Sequence, residues 1–281
     1  MNDHKPRLDW LITELSVLGG AETYVRRMAP IMQKRGWKIR VITFSQGGFL
    51  SDELRQQSVP VIELSKEYKS LPISMHKLIR LWRSDPPDIL HTHLYHAGMA
   101  GRWIAHLLGI RPVIVHQHGA EQARSHIRSL LDRNTSRMVS RYIVTCQVVA
   151  KILTEREKID PEKILVIYNG VTSQIAQYTN PPLDWPVPPG ANCLGCVGRL
   201  SPEKGQDTLI RSVSILVNEG LPIHLVLVGK GESLTSLKKL CRQLSVHDLV
   251  HFVGIRRETH NWLQYFDLFV LPSRWEGVSI A

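Results

Sequence analysis

Two cationic side chains bracket a short turn in the second half of the chain, within the sequence GRLSPEKG at 198–205. The turn follows an apolar, strand-like segment and leads into a helical pattern, so Arg199 and Lys204 lie beside the expected N-terminus of a helix. A forked guanidinium and a mobile ammonium at such a place suit a diphosphate, and they would neutralise one that departs during a reaction. A solvated, charged turn is the alternative interpretation.

A carboxylate follows the last strand-like segment of the chain. Glu276 and Gly277 come shortly after the apolar residues 268–271. Ligands of open α/β sheets bind at the carboxyl ends of strands, where this carboxylate would hold sugar hydroxyl groups. An exposed loop acid would look the same in the sequence.

A pair of glycines separates the first strand-like segment from the first helical one. Gly19 and Gly20 would let the backbone approach a ligand closely, and the helix N-terminus beyond them attracts anions. A purely structural turn is the alternative. The pattern therefore marks a second candidate anion site.

Histidines recur near the ends of two strand-like segments. His91 and His93 alternate on one of them, and His116 and His118 alternate on the other. Alternate residues share a strand face, which is compatible with zinc binding. Because no acidic or cysteine partner stands at a usual ligand spacing, hydrogen bonding to a substrate is favoured, above all by His118, and no metal site is predicted.

The four cysteines do not form a disulfide framework in a chain of 281 residues, which favours a reducing cytosol. Cys193 and Cys196 have the spacing of a redox or zinc pair. They lie within a strand-like segment, where residues three apart face opposite sides. Core packing is therefore predicted for both.

Alternating strand and helix patterns predict a doubly wound parallel sheet in each half of the chain. In the first half, strands are expected at 8–15, 38–45, 88–94, 112–118, 142–146 and 164–168, with a clear helix at 21–34. In the second half, strands are expected at 193–197, 224–228, 250–253 and 268–271, with helices at 206–219, 233–244 and 258–265. The proline-rich stretch between the halves predicts domains at 1–178 and 191–281, joined by a linker at 179–190.

Composition excludes several classes of protein. No apolar run is long enough to cross a bilayer, and the N-terminal residues lack the apolar core of a signal peptide. The net charge of +10 lies mostly in residues 1–190, which suits an anionic lipid, a nucleic acid or a phosphorylated substrate. An arginine-rich amphipathic helix predicted within 121–142 would lie on anionic lipid or pack its apolar stripe on the sheet.

Eight short motifs occur in order along most of the chain. They are GGAE at 19–22, DILHTHL at 88–94, VHQHG at 115–119, IYNGV at 167–171, GRLSPEKG at 198–205, LVGKGE at 227–232, HFVG at 251–254 and PSRWEG at 272–277. In this order and spacing, the chain resembles the retaining glycosyltransferase family 4. The resemblance implies the GT-B fold, with two Rossmann-like domains facing across a cleft.

The resemblance also implies a role for each candidate residue. Arg199 and Lys204 would bind the diphosphate, His118 would face the donor sugar, and Glu276 would be the first carboxylate of an E-x7-E motif that contacts the sugar. The implied donor-binding set comprises Gly19, Gly20, Arg199, Lys204, Gly229, Gly254, Glu276 and Gly277.

The implied activity is transfer of a hexose from a nucleotide-sugar to a glycan or lipid-linked acceptor, with retention of configuration. The family's pattern implies no metal or other cofactor, no nucleic-acid partner, and a cytoplasmic location with peripheral contact to the inner face of the membrane. A sugar-nucleotide 2-epimerase would not account for GRLSPEKG. The second glutamate of E-x7-E would fall beyond Ala281, so a poorly active fragment with an incomplete second domain is expected. The alternative is a non-catalytic, complementing half of a split protein.

Overall fold

The computed structural model describes residues 5–16, 19–65, 71–119, 126–170, 180–256 and 259–281. The chain divides into two compact units, one formed by Met1–Asn169 with Gly277–Ile280 and the other by Gly170–Glu276 with Ala281. Each unit has its own parallel sheet. None of the helices described is both long enough and apolar enough to cross a membrane.

The first unit is built on a seven-stranded parallel sheet. Its strands are β1 (Arg7–Ile12), β2 (Lys38–Thr43), β3 (Val61–Glu63), β4 (Ile89–His93), β5 (Val113–Gln117), β6 (Arg141–Val144) and β7 (Ile164–Val166). They lie in the order β3-β2-β1-β4-β5-β6-β7. The order reverses direction between β1 and β4, and open α/β sheets bind their ligands beside such a reversal, at the carboxyl ends of the strands.

Helices accompany this sheet, and side chains alternate between two apolar cores. The helices are α1 (Gly20–Lys34), α2 (Gly48–Gln56), α3 (Leu71–Ser84), α4 (Tyr95–Leu108), α5 (His126–Thr135) and α6 (Gln147–Glu155). Trp10 and Ile12 of β1 enter one core, with Val25 of α1, while Leu11 enters the other, with Ile104 of α4. Strands covered on both faces are rich in apolar residues, which explains most of β1. The exception is the buried Asp9, whose carboxylate accepts hydrogen bonds from Arg40 and Trp82.

The second unit repeats the pattern with four parallel strands. These are β8 (Asn192–Val197), β9 (Ile223–Val228), β10 (Val250–Gly254) and β11 (Leu268–Phe269), with helices α7 (Gln206–Asn218), α8 (Leu234–Gln243) and α9 (Thr259–Leu263). The order is β10-β9-β8-β11. Cys193 and Cys196 are buried and free, and they enter different cores on either side of β8, as the sequence predicts.

The α/β fold with parallel sheets is thus confirmed, whereas the arginine-rich segment 121–142 is not one helix. Residues 121–125 lie outside the described part of the chain, α5 ends at Thr135, and β6 begins at Arg141. The apolar side chains Ile127, Leu130 and Leu131 of α5 are exposed, whereas Val139, beyond the end of this helix, is buried in the core. Ser129 and Asp132 are buried, because Asp132 pairs with the buried Arg102 of α4 at 2.7 Å between Oδ1 and Nη1.

Candidate active site

The candidate residues of the second unit lie at the point where its strand order reverses. β8 lies between β9 and β11, and the chain leaves β8 toward Arg199 and Lys204. It leaves β11 toward Glu276. Because adjacent parallel strands end at the same edge of a sheet, these side chains come from connections that start side by side.

Lys204 and Glu276 are in direct contact. The ammonium Nζ of Lys204 forms an ion pair with Oε1 of Glu276, across 72 positions of sequence. The hydroxyl of Ser273 donates a second hydrogen bond to the same oxygen at 2.8 Å. Both charged side chains remain partly exposed, at 21% and 28%, so a ligand can reach them.

Arg199 supplies a second cation on the connection that carries Lys204. Its backbone is held in place, since its carbonyl oxygen accepts a hydrogen bond of 2.8 Å from Nε2 of Gln206 in α7. Its side chain is exposed, and no partner for the guanidinium occurs among the residues that the structure describes. An exposed guanidinium on an anchored backbone is well suited to bind a phosphate through two N–H groups.

Gly205 permits a close approach between the Lys204 turn and the segment that carries Glu276. It has φ +67° at the N-terminus of α7, and a Cβ atom there would lie 2.1 Å from the carbonyl oxygen of Pro272. The backbone N–H of Arg274 donates to the carbonyl of Glu203 at 2.8 Å, and its guanidinium forms two bonds with Asp207. These contacts fix the carboxylate relative to the ammonium.

Two further glycines shape the neighbouring strand ends. Gly229, with φ +144°, follows β9, and a Cβ atom there would lie 1.9 Å from the carbonyl oxygen of Gly198. Gly254, with φ +75°, ends β10 and accepts a hydrogen bond of 2.8 Å from the N–H of Gly229. The carboxyl edge of this sheet is therefore lined by backbone. Gly277 directly follows Glu276 in the sequence.

The other candidates belong to the first unit. Gly19 caps α1 without a side-chain hydrogen bond, and Gly20 begins the helix with open space at its Cβ position. His118 follows β5, where its Nε2 lies 3.0 Å from Nδ1 of His93. Burial lowers the pKa of His118 to about 3, so the ring is neutral near pH 7 and suited to hydrogen bonding rather than to charge pairing.

The structure also gathers histidines for which the sequence predicts no joint site. His91, His93 and His116 are buried together on one face of the β4–β5 pair. Burial lowers the pKa of His91 to about 3 and that of His116 well below its ordinary value, and the neighbouring His118 adds to both shifts. Ser273 is a further residue not singled out from the sequence, although it lies in the motif PSRWEG at 272–277.

Comparison with protein families agrees with this architecture. Residues 18–174 match the model described as Glycosyltransferase Family 4, which is more than half of the chain. The chain belongs to glycosyltransferase family 4. Residues 184–281 of this glycosyltransferase match a second model, described as Glycosyl transferases group 1.

Curated relatives and solved structures extend the agreement. The glycosyltransferase is 28% identical to the Escherichia coli UDP-Gal:alpha-D-GlcNAc-diphosphoundecaprenol alpha-1,3-galactosyltransferase, over 95% of this chain and 73% of that protein. It is 23% identical to the D-inositol 3-phosphate glycosyltransferase of Streptomyces scabiei, over 94% and 68%. The structure of Anabaena Alr3699/HepE in complex with UDP and glucose superimposes with a TM-score of 0.79 at 20% identity, over 95% and 74%. The GT-B fold is thereby confirmed.

Proposed function

We propose that this glycosyltransferase moves a hexose from a nucleotide diphosphate donor to a glycan or lipid-linked acceptor, with retention of anomeric configuration. The observation that carries the proposal is the Lys204–Glu276 ion pair at the strand reversal of the second unit. Arg199 lies on the same connection as Lys204, and its guanidinium has no partner among the described residues. Arg199 and Lys204 bind the diphosphate, and Glu276 accepts hydrogen bonds from hydroxyl groups of the sugar.

The charges explain how such a site lowers the barrier. Cleavage of the sugar–phosphate bond leaves additional negative charge on the departing nucleotide diphosphate. Two fixed cations stabilise that charge more strongly in the transition state than in the bound donor, which raises the rate rather than the affinity alone. They supply the positive charge that a divalent ion supplies in other transferases.

Retention follows, in this proposal, from attack by the acceptor on the face that the diphosphate leaves. Glu276 is a poor candidate for a covalent nucleophile, because its Oε1 already accepts from Lys204 and Ser273. The bond to the diphosphate lengthens toward an oxocarbenium-like state while the acceptor approaches. The family resemblance assigns His118 to the donor sugar and Gly19 and Gly20 to the phosphates, and these roles stay predictions.

The compounds named with the relatives suggest which substrates to test first. The E. coli relative is named for UDP-galactose and a sugar linked to diphosphoundecaprenol, and the Anabaena structure contains UDP and glucose. We therefore infer a UDP-hexose donor and a lipid-linked acceptor, in synthesis of a surface polysaccharide or glycolipid.

The test is a screen of the chain against UDP- and GDP-hexoses, with and without lipid-diphosphate sugars. The quantity measured is the release of nucleotide diphosphate. NMR of the product then gives the anomeric configuration of the new bond. UDP release is expected to depend on the acceptor. A donor with an axial sugar–phosphate bond should give a product with an axial glycosidic bond. An inverted product, or release that ignores every acceptor, would overturn the proposal.

We also propose peripheral contact with an anionic membrane, through an apolar patch on α4 and α5, two helices that pack against each other. The patch comprises the exposed side chains Trp103, Leu107, Ile127, Leu130 and Leu131. Arg128 and Arg133 lie on the same helix as the last three of these. Apolar groups that insert among lipid tails, beside arginines that attract lipid phosphates, are the combination that binds interfacial surfaces.

Cosedimentation with vesicles tests this contact. The double variant Ile127→Gln/Leu130→Gln should lose most binding to phosphatidylglycerol vesicles, whereas Ile215→Gln, at an equally exposed site on α7, should retain it. Wild-type protein should bind uncharged phosphatidylcholine vesicles weakly. Equal binding by the double variant and the wild type would place the contact elsewhere.

A further inference from the structure

Three buried histidines converge on one face of the sheet in the first unit. His91 and His93 alternate along β4, and the register of the sheet places His116 of β5 opposite His93. One potential ligand atom from each lies within 4.8 Å of the others. Each residue is at most 6% exposed.

The ring nitrogens of this group lack ordinary partners. Nε2 of His91, Nε2 of His93 and both nitrogens of His116 are buried without a hydrogen bond to any part of the chain that the structure describes. Buried polar atoms in native proteins are almost always paired with protein groups, water or ions. Several imidazole nitrogens in one place, without a partner among the described residues, are therefore available to one shared ligand.

The contact with His118 identifies the ligand atom of His93. Nδ1 of His93 lies 3.0 Å from Nε2 of His118, which leaves Nε2 of His93 for another partner. A metal-bound imidazole commonly donates its second ring N–H to a neighbouring acceptor, which fixes the tautomer. Nε2 of His118 is such an acceptor when the proton of that pair lies on His93.

We propose that His91, His93 and His116 bind a zinc ion in the first unit. Three imidazoles without a carboxylate suit Zn²⁺, whereas Mg²⁺ and Ca²⁺ require oxygen ligands. Aromatic rings enclose the group: Trp10 lies 5.4 Å from His91 and Tyr24 lies 4.7 Å from His116, between ring centroids. The rings of His91 and His116 are parallel within 3°, so at least one of them turns about its Cβ–Cγ bond to aim its lone pair at the ion.

The three proposed ligands have no role in the proposed transfer chemistry, although His93 contacts His118, which has one. The zinc ion lies among strands of the first unit, whereas Arg199 and Lys204 follow a strand of the second. It would join β4 to β5 through side chains. The site therefore holds whether or not the proposed donor and acceptor are correct.

Zinc binding is measured on the full chain after removal of metal with a chelator and dialysis. Competition with a chromophoric chelator should give one high-affinity Zn²⁺ per chain, and X-ray absorption should show nitrogen ligands at about 2.0–2.1 Å. His91→Gln and His116→Gln should each weaken zinc binding at least about tenfold. His251→Gln is the matched control, because among the described residues His251 pairs with a single histidine, His224, at 2.9 Å between ring nitrogens.

Three outcomes would overturn the proposal. One is equal zinc affinity in His91→Gln, His251→Gln and the wild type, which would assign the ion to surface histidines. The other two are an oxygen-only coordination shell in wild-type protein and the lack of any high-affinity site. The measurements on wild-type protein decide the matter even if the variants fold poorly.

Discussion

Replacing Gly205 with alanine tests the close approach between the Lys204 turn and the segment that carries Glu276. Gly205 has φ +67°, and the new methyl carbon would lie 2.1 Å from the oxygen and 3.0 Å from the carbon of the Pro272 carbonyl. Both neighbours are backbone atoms, so no side-chain rotation relieves the clash. The segment that begins at Pro272 must move away, and Glu276 moves with it.

A second glycine serves as a control that separates the backbone strain of this substitution from the cost of its steric clash. Gly220, which follows α7, has φ +84° and open space around its Cβ position. Gly220→Ala therefore introduces only the strain of a left-handed backbone, about 1 kcal/mol. Gly205→Ala adds the displacement of packed backbone, for a total of about 3 kcal/mol.

Hydrogen exchange read by mass spectrometry provides the assay, because peptides from the second unit report its unfolding free energy without averaging over the first. Gly205→Ala should reduce that free energy by about 2 kcal/mol more than Gly220→Ala does. It should also weaken donor binding, since the Lys204–Glu276 pair is disturbed. Equal losses in the two variants would refute the close approach to Pro272.

Two further predictions concern buried groups. Asp132→Asn leaves the buried Arg102 without its carboxylate and should reduce the unfolding free energy, measured by urea titration, by about 3–5 kcal/mol. The control is Asp52→Asn, in an exposed pair with Arg55, which should reduce it by less than about 1 kcal/mol. Similar losses in the two variants would contradict the burial of the Arg102–Asp132 pair. In native protein near pH 8, a thiol reagent should modify Cys146 quickly, and rapid reaction of more than one thiol would contradict the structure. The slow thiols are those whose pKa burial raises, to about 12 in Cys193 and Cys196 and to about 11 in Cys241.

The sequence is sufficient to predict most strands, because strands covered on both faces are rich in apolar residues. β3 was not predicted: it has only three residues, all partly buried, and it begins directly after Pro60. The local sequence pattern does not predict which face of α5 is buried either. Asp132 turns inward because Arg102, 30 positions earlier and on another helix, supplies the opposite charge.

The candidate site, too, could be predicted only in part from the sequence. The residue types and their positions after strands indicated an anion site at Arg199 and Lys204, but the contact with Glu276 depends on the pairing of β11 with β8. The role of each residue came from the family resemblance and stays a prediction. Alternation placed His91 and His93 on one face, whereas only the register between β4 and β5 brings His116 beside them.

Turnover by three alanine variants tests the proposed diphosphate site. With the best donor and acceptor from the screen, release of nucleotide diphosphate by Lys204→Ala and Arg199→Ala should fall by about 10²–10³, as when a transition-state charge loses its partner. Arg211→Ala removes an exposed cation from α7 and should leave the rate within about twofold, since exposed charges contribute little. Near-normal turnover by Lys204→Ala would contradict the proposed diphosphate site.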